Sequence, residues 1–381
     1  MNGGRHTKGA ILAQRGTGSQ NVCAFIPPSF TIRPAAAART AALSGDPMAR
    51  PLDLYPYPLV PILKPKIWGG RRLAARFGKR GVAGRIGESW EVVDRGKDTS
   101  RVASGSLRGA TLRELLTAWP REILGDDQAL RFASRFPLIV KFLDVDRRLS
   151  VQVHPPDEFA LRHEQGDPGK AEAWVVLEAE KGARVIRGVL PGTVPAEFRE
   201  AAIRGTVGAS LNEMDVKAGD VIFLPPGTLH AAYGGLLLAE VSQNSDLTYR
   251  VYDWGQTDAR GRPRPVHLDK AVAVSDFHSM GVSKMTPVPI PGRGAKRRFL
   301  VRCEKFTLES IEIPGRRVRI HQPPERFSIL MAVRGRGAFA FGKGQRRRMP
   351  FRAGQTFLVP ARLGDFDLVA RGTAVFLYIY V

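Results

Sequence analysis

Cysteine is nearly missing from this chain. Cys23 and Cys303 are the two in 381 residues, too few for a disulfide framework or for a zinc site closed by thiolates. Any metal must therefore be held by His, Asp, Glu or Gln, and a reducing, cytoplasmic setting is the expectation. No stretch approaches the roughly 20 uninterrupted apolar residues of a bilayer-spanning helix, so no membrane partner is expected. Acids are scarce at both ends. Of the formal net charge of +22, +5 falls within residues 1–50 and +14 within 281–381, which leaves +3 for everything between. The terminal excess is mostly arginine scattered one or two at a time, Arg346-Arg347-Arg348 aside. Such spacing reads as a solvated basic surface rather than a stripe that tracks phosphates, and no nucleic-acid partner is expected. What is present, 43% hydrophobic and 25% charged residues, is the make-up of a globular chain.

Residues 1–49 are rich in Gly, Ala, Ser, Thr and Arg and have no sustained periodicity. They read as a disordered N-terminal extension, because so little apolar surface does not offset the entropy of ordering. Met48, just ahead of the first patterned sequence, is an alternative start of translation. From about Tyr57, short apolar runs alternate with Gly and Pro, the mark of an all-β chain. Strands are expected over Ser89–Val93, Leu138–Asp144, Ala173–Leu177, Val185–Val189, Val221–Leu224, Leu236–Ser242 and, later, Phe327–Ala332 and Ala374–Tyr380. Two stretches break the pattern. Thr111–Phe136 has helical spacing, with Thr111 and Glu114 placed as a capping box, and Val194–Ala209 is a second helical stretch with Pro195 in its first turn. The expected organisation is a β domain over 50–285 with a helical insertion at about 111–136, a Pro/Gly-rich basic linker at 286–298, and a smaller β domain over 299–381. The stretch Lys217–Pro226 is echoed by Arg352–Ala361, each reading basic-Ala-Gly-polar, strand, Pro. The first copy runs on to His230 and the second has no matching His, so the second domain is expected to be metal-free.

Of the seven histidines, His6, His163, His267, His278 and His321 have no second ligand type in a convincing local pattern. His154 and His230 do. Gly219-x5-Pro225-x-Gly227-x2-His230 sets a strand after a turn glycine, then a tight turn, then a His at the start of the next strand, which aims an imidazole into the mouth of a β-barrel. In Ser150-Val151-Gln152-Val153-His154, Gln152 and His154 share one face of a strand. Eighteen residues on, Lys170, Glu172 and Trp174 share a face by the same alternation. Two imidazoles, a carboxylate and an amide oxygen make an N/O site suited to Zn²⁺, with Mn²⁺, Fe²⁺ or Co²⁺ as alternatives. A thiolate-free site that keeps a position open reads as catalytic. The competing reading is of polar residues at strand ends, unrelated in space.

The Gly219–His230 spacing resembles the second signature of cupin jelly rolls. The chain from about Tyr57 to Val381 is similar to the short bacterial type I mannose-6-phosphate isomerases (phosphomannose isomerases). Trp68-Gly69-Gly70, Gly87-Glu88-Ser89-Trp90-Glu91, Leu149–Pro155, Gly169–Trp174 and Ser242–Gly255 carry the likeness, in the family's order. The resemblance implies a mainly β fold of two cupin-type jelly-roll domains, the first with the helical insertion. It implies one Zn²⁺ at Gln152, His154, Glu172 and His230, and interconversion of mannose 6-phosphate and fructose 6-phosphate through an enediol. The family's essential arginine falls on Arg250 and its motif lysine on Lys170, the two residues expected to be catalytic. Metal-bound hydroxide, Asp253 and Glu240 compete with Lys170 for the role of base. Lys141, Arg260, Asp253 and Trp68 are expected to meet the substrate, Lys141 and Arg260 at its phosphate; for Trp68, Trp90 and Trp174, core packing is the alternative to stacking on sugar. Two departures stand out: Gln256 where the family usually has arginine after Asp-Trp-Gly, with Arg260 or Arg262 as substitutes, and Ala171 within Gly-Lys-Ala-Glu. A cupin metal oxygenase and a non-catalytic sugar-binding cupin are the other readings; the four intact ligands and the Trp-Gly-Gly and Asp-Trp-Gly motifs speak against both. The partner is a small sugar phosphate, and the chain is expected to be a monomer or homodimer.

Overall fold

Apolar side chains recur at every second position through most of the chain after Tyr57, and strands result. The computed structural model describes residues 51–81, 84–258, 260–278 and 284–381. The extension expected over 1–49, with Cys23, lies outside the described residues. The first β unit packs a six-stranded antiparallel sheet on a five-stranded one. The larger sheet runs, edge to edge, Val221–Leu224, Glu172–Ala179, Leu236–Gln243, Leu138–Val145, Ile86–Val92 and Ile62–Gly70; the smaller runs Leu211–Asp215, Arg184–Val189, His230–Ala232, Val151–Val153 and Tyr249–Tyr252. Alternation decides what lies between them. Val185, Ala232, Leu143, Leu238, Trp68 and Trp174 fill an apolar layer between the sheets. The opposite face of the smaller sheet, with Ile186, Leu229 and Ala231, is covered by the helices Pro195–Ile203 and Leu268–Val274.

The helical insertion forms as three short helices, Leu112–Ala118, Pro120–Leu124 and Asp126–Phe132. Thr111 caps the first: its hydroxyl accepts from the Glu114 N–H, and the Glu114 carboxylate accepts from the Thr111 N–H. The stretch around Val194 gives the helix Pro195–Ile203, with its proline in the first turn.

The second β unit packs an eight-stranded sheet against a four-stranded one. Its interior is aromatic: Phe339 lies 4.7 Å from Phe357 and 5.6 Å from Phe366, and Phe351 lies 4.7 Å from Phe376. Two boundaries differ from expectation. Residues 286–298 are not a free linker, because Val288–Ile290 is an edge strand of the eight-stranded sheet and Lys296–Arg302 is the strand beside it, paired on its other side with Thr307–Pro314. The prolines fall on the edge strand, which tolerates them, and in the second strand Leu300 and Val301 are buried. The other difference is at the start of the chain. Tyr57–Val60 pairs with Thr356–Val359 on one side and Arg101–Val102 on the other, so the first patterned segment completes the last sheet.

Candidate metal centre and active site

Three strand ends bring the chemistry together. His154 follows Val151–Val153, His230 opens His230–Ala232, and Glu172 opens Glu172–Ala179. One ligand atom from each lies within 4.8 Å of the others, and all three residues are buried. His154 Nε2 is 3.2 Å from a Glu172 carboxylate oxygen. The loops are pinned by backbone contacts. The Gly227 N–H donates to the His154 carbonyl at 2.8 Å, and Gly227 holds φ +85°, where a Cβ would also sit 2.9 Å from the Val274 carbonyl. The Lys170 N–H donates to the Pro155 carbonyl at 3.1 Å.

Each imidazole is oriented from behind. His154 Nδ1 lies 2.7 Å from the Leu247 carbonyl, and His230 Nδ1 lies 2.8 Å from that of Thr228. With Nδ1–H donated to a carbonyl, each Nε2 presents its lone pair to the centre. Burial, then the Lys170 charge, holds the His154 pKa below its ordinary value. Burial and the neighbouring His154 push His230 down to about 3. Both rings are thus neutral, the form that binds a metal. Burial alone would raise Glu172, but the Lys170 ammonium holds it well below the usual carboxylate range. Its oxygens are buried and make no directed hydrogen bond, although Lys170 Nζ stands 2.5 Å from one of them. A buried ionised carboxylate with unused lone pairs beside two neutral imidazoles fits a divalent cation.

Gln152 stands next in line, but with its nitrogen forward: Nε2 is 3.2 Å from His230 Nε2, while Oε1 accepts from the Ser150 hydroxyl. Ligation through Oε1 requires the amide to turn over, which leaves Nε2 to donate to Ser150. Arg250 faces Gln152 across the strands; it donates to the Pro265 carbonyl at 2.7 Å and to the Ser150 hydroxyl at 3.3 Å. Burial and then Arg264 hold its pKa below the ordinary value. Lys170 is buried among Glu172, Glu240 at 3.6 Å and His154 at 3.4 Å. Lys141 is likewise buried and is bound to Glu240 at 2.8 Å, which, with Glu88, raises its pKa against burial.

The other residues expected to meet the substrate are each held by partners within the protein. Asp253 is taken up by Arg264, whose Nε donates to it at 2.7 Å. Arg260 is exposed in the Asp258–Arg262 turn, held there by its backbone N–H to Asp258; Arg264 comes to the neighbourhood of Arg250 in its place. Gln256 donates to the Arg148 carbonyl. Trp68 is 5% exposed, packed in the apolar layer, and Trp174 sets its edge on His230 at 5.5 Å.

Residues 57–173 match the family model for the phosphomannose isomerase type I catalytic domain. Mannose-6-phosphate isomerase ManA of Bacillus subtilis is 35% identical over 310 residues, spanning 81% of this chain and 94% of that protein. The chain belongs to the type I phosphomannose isomerase family. The Streptococcus mutans mannose-6-phosphate isomerase is 33% identical over 329 residues, 85% of this chain and 98% of that one. The crystal structure of the mannose 6-phosphate isomerase from Bacillus subtilis superposes with a TM-score of 0.78 at 32% identity, over 86% of this chain and 99% of that one. A putative mannosephosphate isomerase from Archaeoglobus fulgidus shares the fold, with a TM-score of 0.69 at 23% identity over 87% of this chain. Among the described residues of this family member, no helix is long and apolar enough to cross a membrane.

Some of what builds this phosphomannose isomerase site escapes single-residue reading. Ser242–Leu247 is a scaffold as well as a motif: the Gln243 amide oxygen accepts from the Ala171 N–H, Asn244 donates to the carbonyls of Asp94 and Phe136, and the Leu247 carbonyl aims His154. Backbone partners leave no trace in residue type. The signal that was available is the density of amides and hydroxyls immediately after a strand.

Proposed function

We propose that this protein is a zinc-dependent aldose–ketose isomerase that interconverts mannose 6-phosphate and fructose 6-phosphate through an enediol. The observation that carries the reading is the convergence of two neutral imidazoles on the buried, unsatisfied Glu172 carboxylate, in a chain of this family. His154, Glu172 and His230, with Gln152 turned over, would hold the ion, which supplies Lewis-acid polarisation at the O1/O2 end of the sugar.

The rest falls to the side chains around it. Between open-chain aldose and ketose, the C2–H bond breaks and a C1–H bond forms, while one hydroxyl proton is gained at O1 and one lost from O2. Lys170 carries the proton between the two carbons. Its Nζ stands against the ligand carboxylate at 2.5 Å, with Glu240 3.6 Å away on its other side, so two acids hold the amine at the site of the transfer. Arg250, permanently charged and half-buried, holds the developing oxyanion. The buried lattice of alternating charge, Glu172, Lys170, Glu240, Lys141 and Glu88, keeps these groups in place when the sugar enters.

The test couples metal analysis to turnover of mannose 6-phosphate. One zinc per chain, activity lost with a chelator and restored by added metal, and no oxygen uptake are expected. Full turnover in metal-stripped protein would sink the zinc reading, and zinc-loaded protein inert toward mannose 6-phosphate would sink the isomerase reading.

A further inference from the structure

Four cations are buried among the described residues of this chain, besides the histidines: Lys79, Lys141, Lys170 and Arg187. Each lysine has a carboxylate at ion-pair distance, Glu91 at 2.7 Å, Glu240 at 2.8 Å and Glu172 at 2.5 Å respectively. Arg187 has none. Its single side-chain hydrogen bond runs from Nε to the carbonyl of Phe223 at 2.9 Å, so both terminal nitrogens of the fork are without a partner. Burial holds its pKa below the ordinary value, with no acid to offset this, unlike Arg72 and Arg95, whose acidic partners raise theirs. The stem and Nε are covered while the terminal nitrogens keep contact with solvent, and a guanidinium so far desolvated without an acid is costly.

Its position gives the reason for keeping it. Arg187 is the cross-strand neighbour of His230, His230 of Gln152, and Gln152 of Arg250. Residues paired in this way share a face of the sheet, so one row carries a guanidinium at each end and two proposed metal ligands between. Against Leu211–Asp215 on the other side, the register shifts between Ile186 and Val189, the step that contains Arg187, with Gly188 at φ +78°; a bulge of this kind re-aims the side chain within it. Trp174, whose buried indole N–H has no acceptor, stands edge-on to the same His230. Its strand partner Ile222 adjoins Phe223, the anchor of Arg187. Two unused donors therefore flank His230.

We infer that Arg187 binds the phosphate of the substrate. This deepens the isomerase reading above and rests on it. A hexose phosphate is held at one end by the ion and carries its dianion several bonds away, the reach of an adjacent cross-strand position. A phosphate offers the paired oxygens that a free guanidinium fork accepts two at a time. The opposite guanidinium, Arg250, donates to Ser150 and Pro265 and is assigned above to the oxyanion, and Arg264 is paired with Asp253.

The experiment compares zinc-loaded wild type with Arg187→Gln. Expected are a KM for mannose 6-phosphate raised about ten- to a hundredfold with kcat changed by less than about threefold, and unaltered zinc content. Calorimetric titration with inorganic phosphate should show one site in wild type and a comparable loss in the variant. That titration reads the anion site whether or not the sugar is turned over, so failure of this inference and failure of the isomerase reading are separable. Arg187→Lys, which keeps charge without the fork, should fall between the two and serves if the glutamine variant does not fold. If neither folds, phenylglyoxal labelling of wild-type Arg187 decides: protection by inorganic phosphate is expected. Unchanged KM and phosphate affinity in a folded variant, labelling indifferent to phosphate, or loss of phosphate binding in Arg264→Gln instead would overturn the assignment.

Discussion

The two β units share a plan of two packed sheets and differ in what they enclose. The second closes over Phe339, Phe351, Phe357, Phe366 and Phe376. The first shares its interior between an apolar layer, with Trp68 and Leu143, and a charged one, with Lys141, Lys170, Glu172 and Glu240. Apolar area removed from water stabilises by roughly 25 cal/mol per Å². Buried charge, even paired, contributes little net and is strongly destabilising once a partner is lost. One unit is thus built to hold the molecule together and the other to hold chemistry, and the same strand-turn device serves both. Lys217–Pro226 leads to His230 at the centre, whereas after Arg352–Pro360 the chain enters a short 3₁₀ turn over Ala361–Leu363.

Substitutions that separate the two roles sharpen that contrast. The largest effect is expected for His230→Ala or His154→Ala: turnover falls at least about a thousandfold and bound metal falls with it, while urea melts show a folded protein. Retained turnover without metal breaks the contrast. Phe339→Ala in the other unit should destabilise by about 3–5 kcal/mol in urea melts, with kcat/KM of the folded fraction unchanged. A comparable drop in kcat/KM would mean the aromatic unit tunes the site. Arg250→Ala is expected to lower kcat about a hundredfold with zinc still bound; unaltered kinetics removes it from the reaction.

Glu88→Gln probes the charged layer by pH. Burial opposes ionisation of Glu88, but Lys141 and Lys66 bring its pKa down to about 2 from 4.5. The unfolded chain then takes up a proton that the folded one refuses, so stability fully present above pH 4.5 is lost as pH falls towards 2. The loss reaches about 3 kcal/mol. The variant should show a flatter acid limb in melts across that window; an equally steep limb assigns the acid sensitivity to other groups. Thr111→Ala should be smallest, about 1 kcal/mol of stability through the lost helix cap, with activity untouched.

Much of this was legible beforehand because strand alternation and turn glycines are local signals. The spacing around Gln152, His154, Glu172 and His230 already implied shared faces, and the structure brings the two rings and the acid together while leaving the Gln152 oxygen turned away. What stayed hidden was non-local or chemically mute. The carbonyl of Leu247 that aims His154 has no identity in sequence. Arg187 looks like any strand arginine until its neighbours across the sheet are known. The stretch 286–298 reads as a basic linker because Pro, Gly and Arg dominate it, and the buried pair of its second strand, Leu300 and Val301, comes just after it.

The strand Tyr57–Val60 sits between a neighbour about forty residues downstream and another some three hundred downstream. On the ribosome, which releases the chain at roughly 5–20 residues per second, that segment emerges early and waits half a minute or so for its later mate. Until then its buried Tyr57, paired across to Leu358, has no home. Newborn chains should accordingly depend on chaperones more than the size of either half suggests, and a product cut near residue 298 should leave a ragged, adhesive edge.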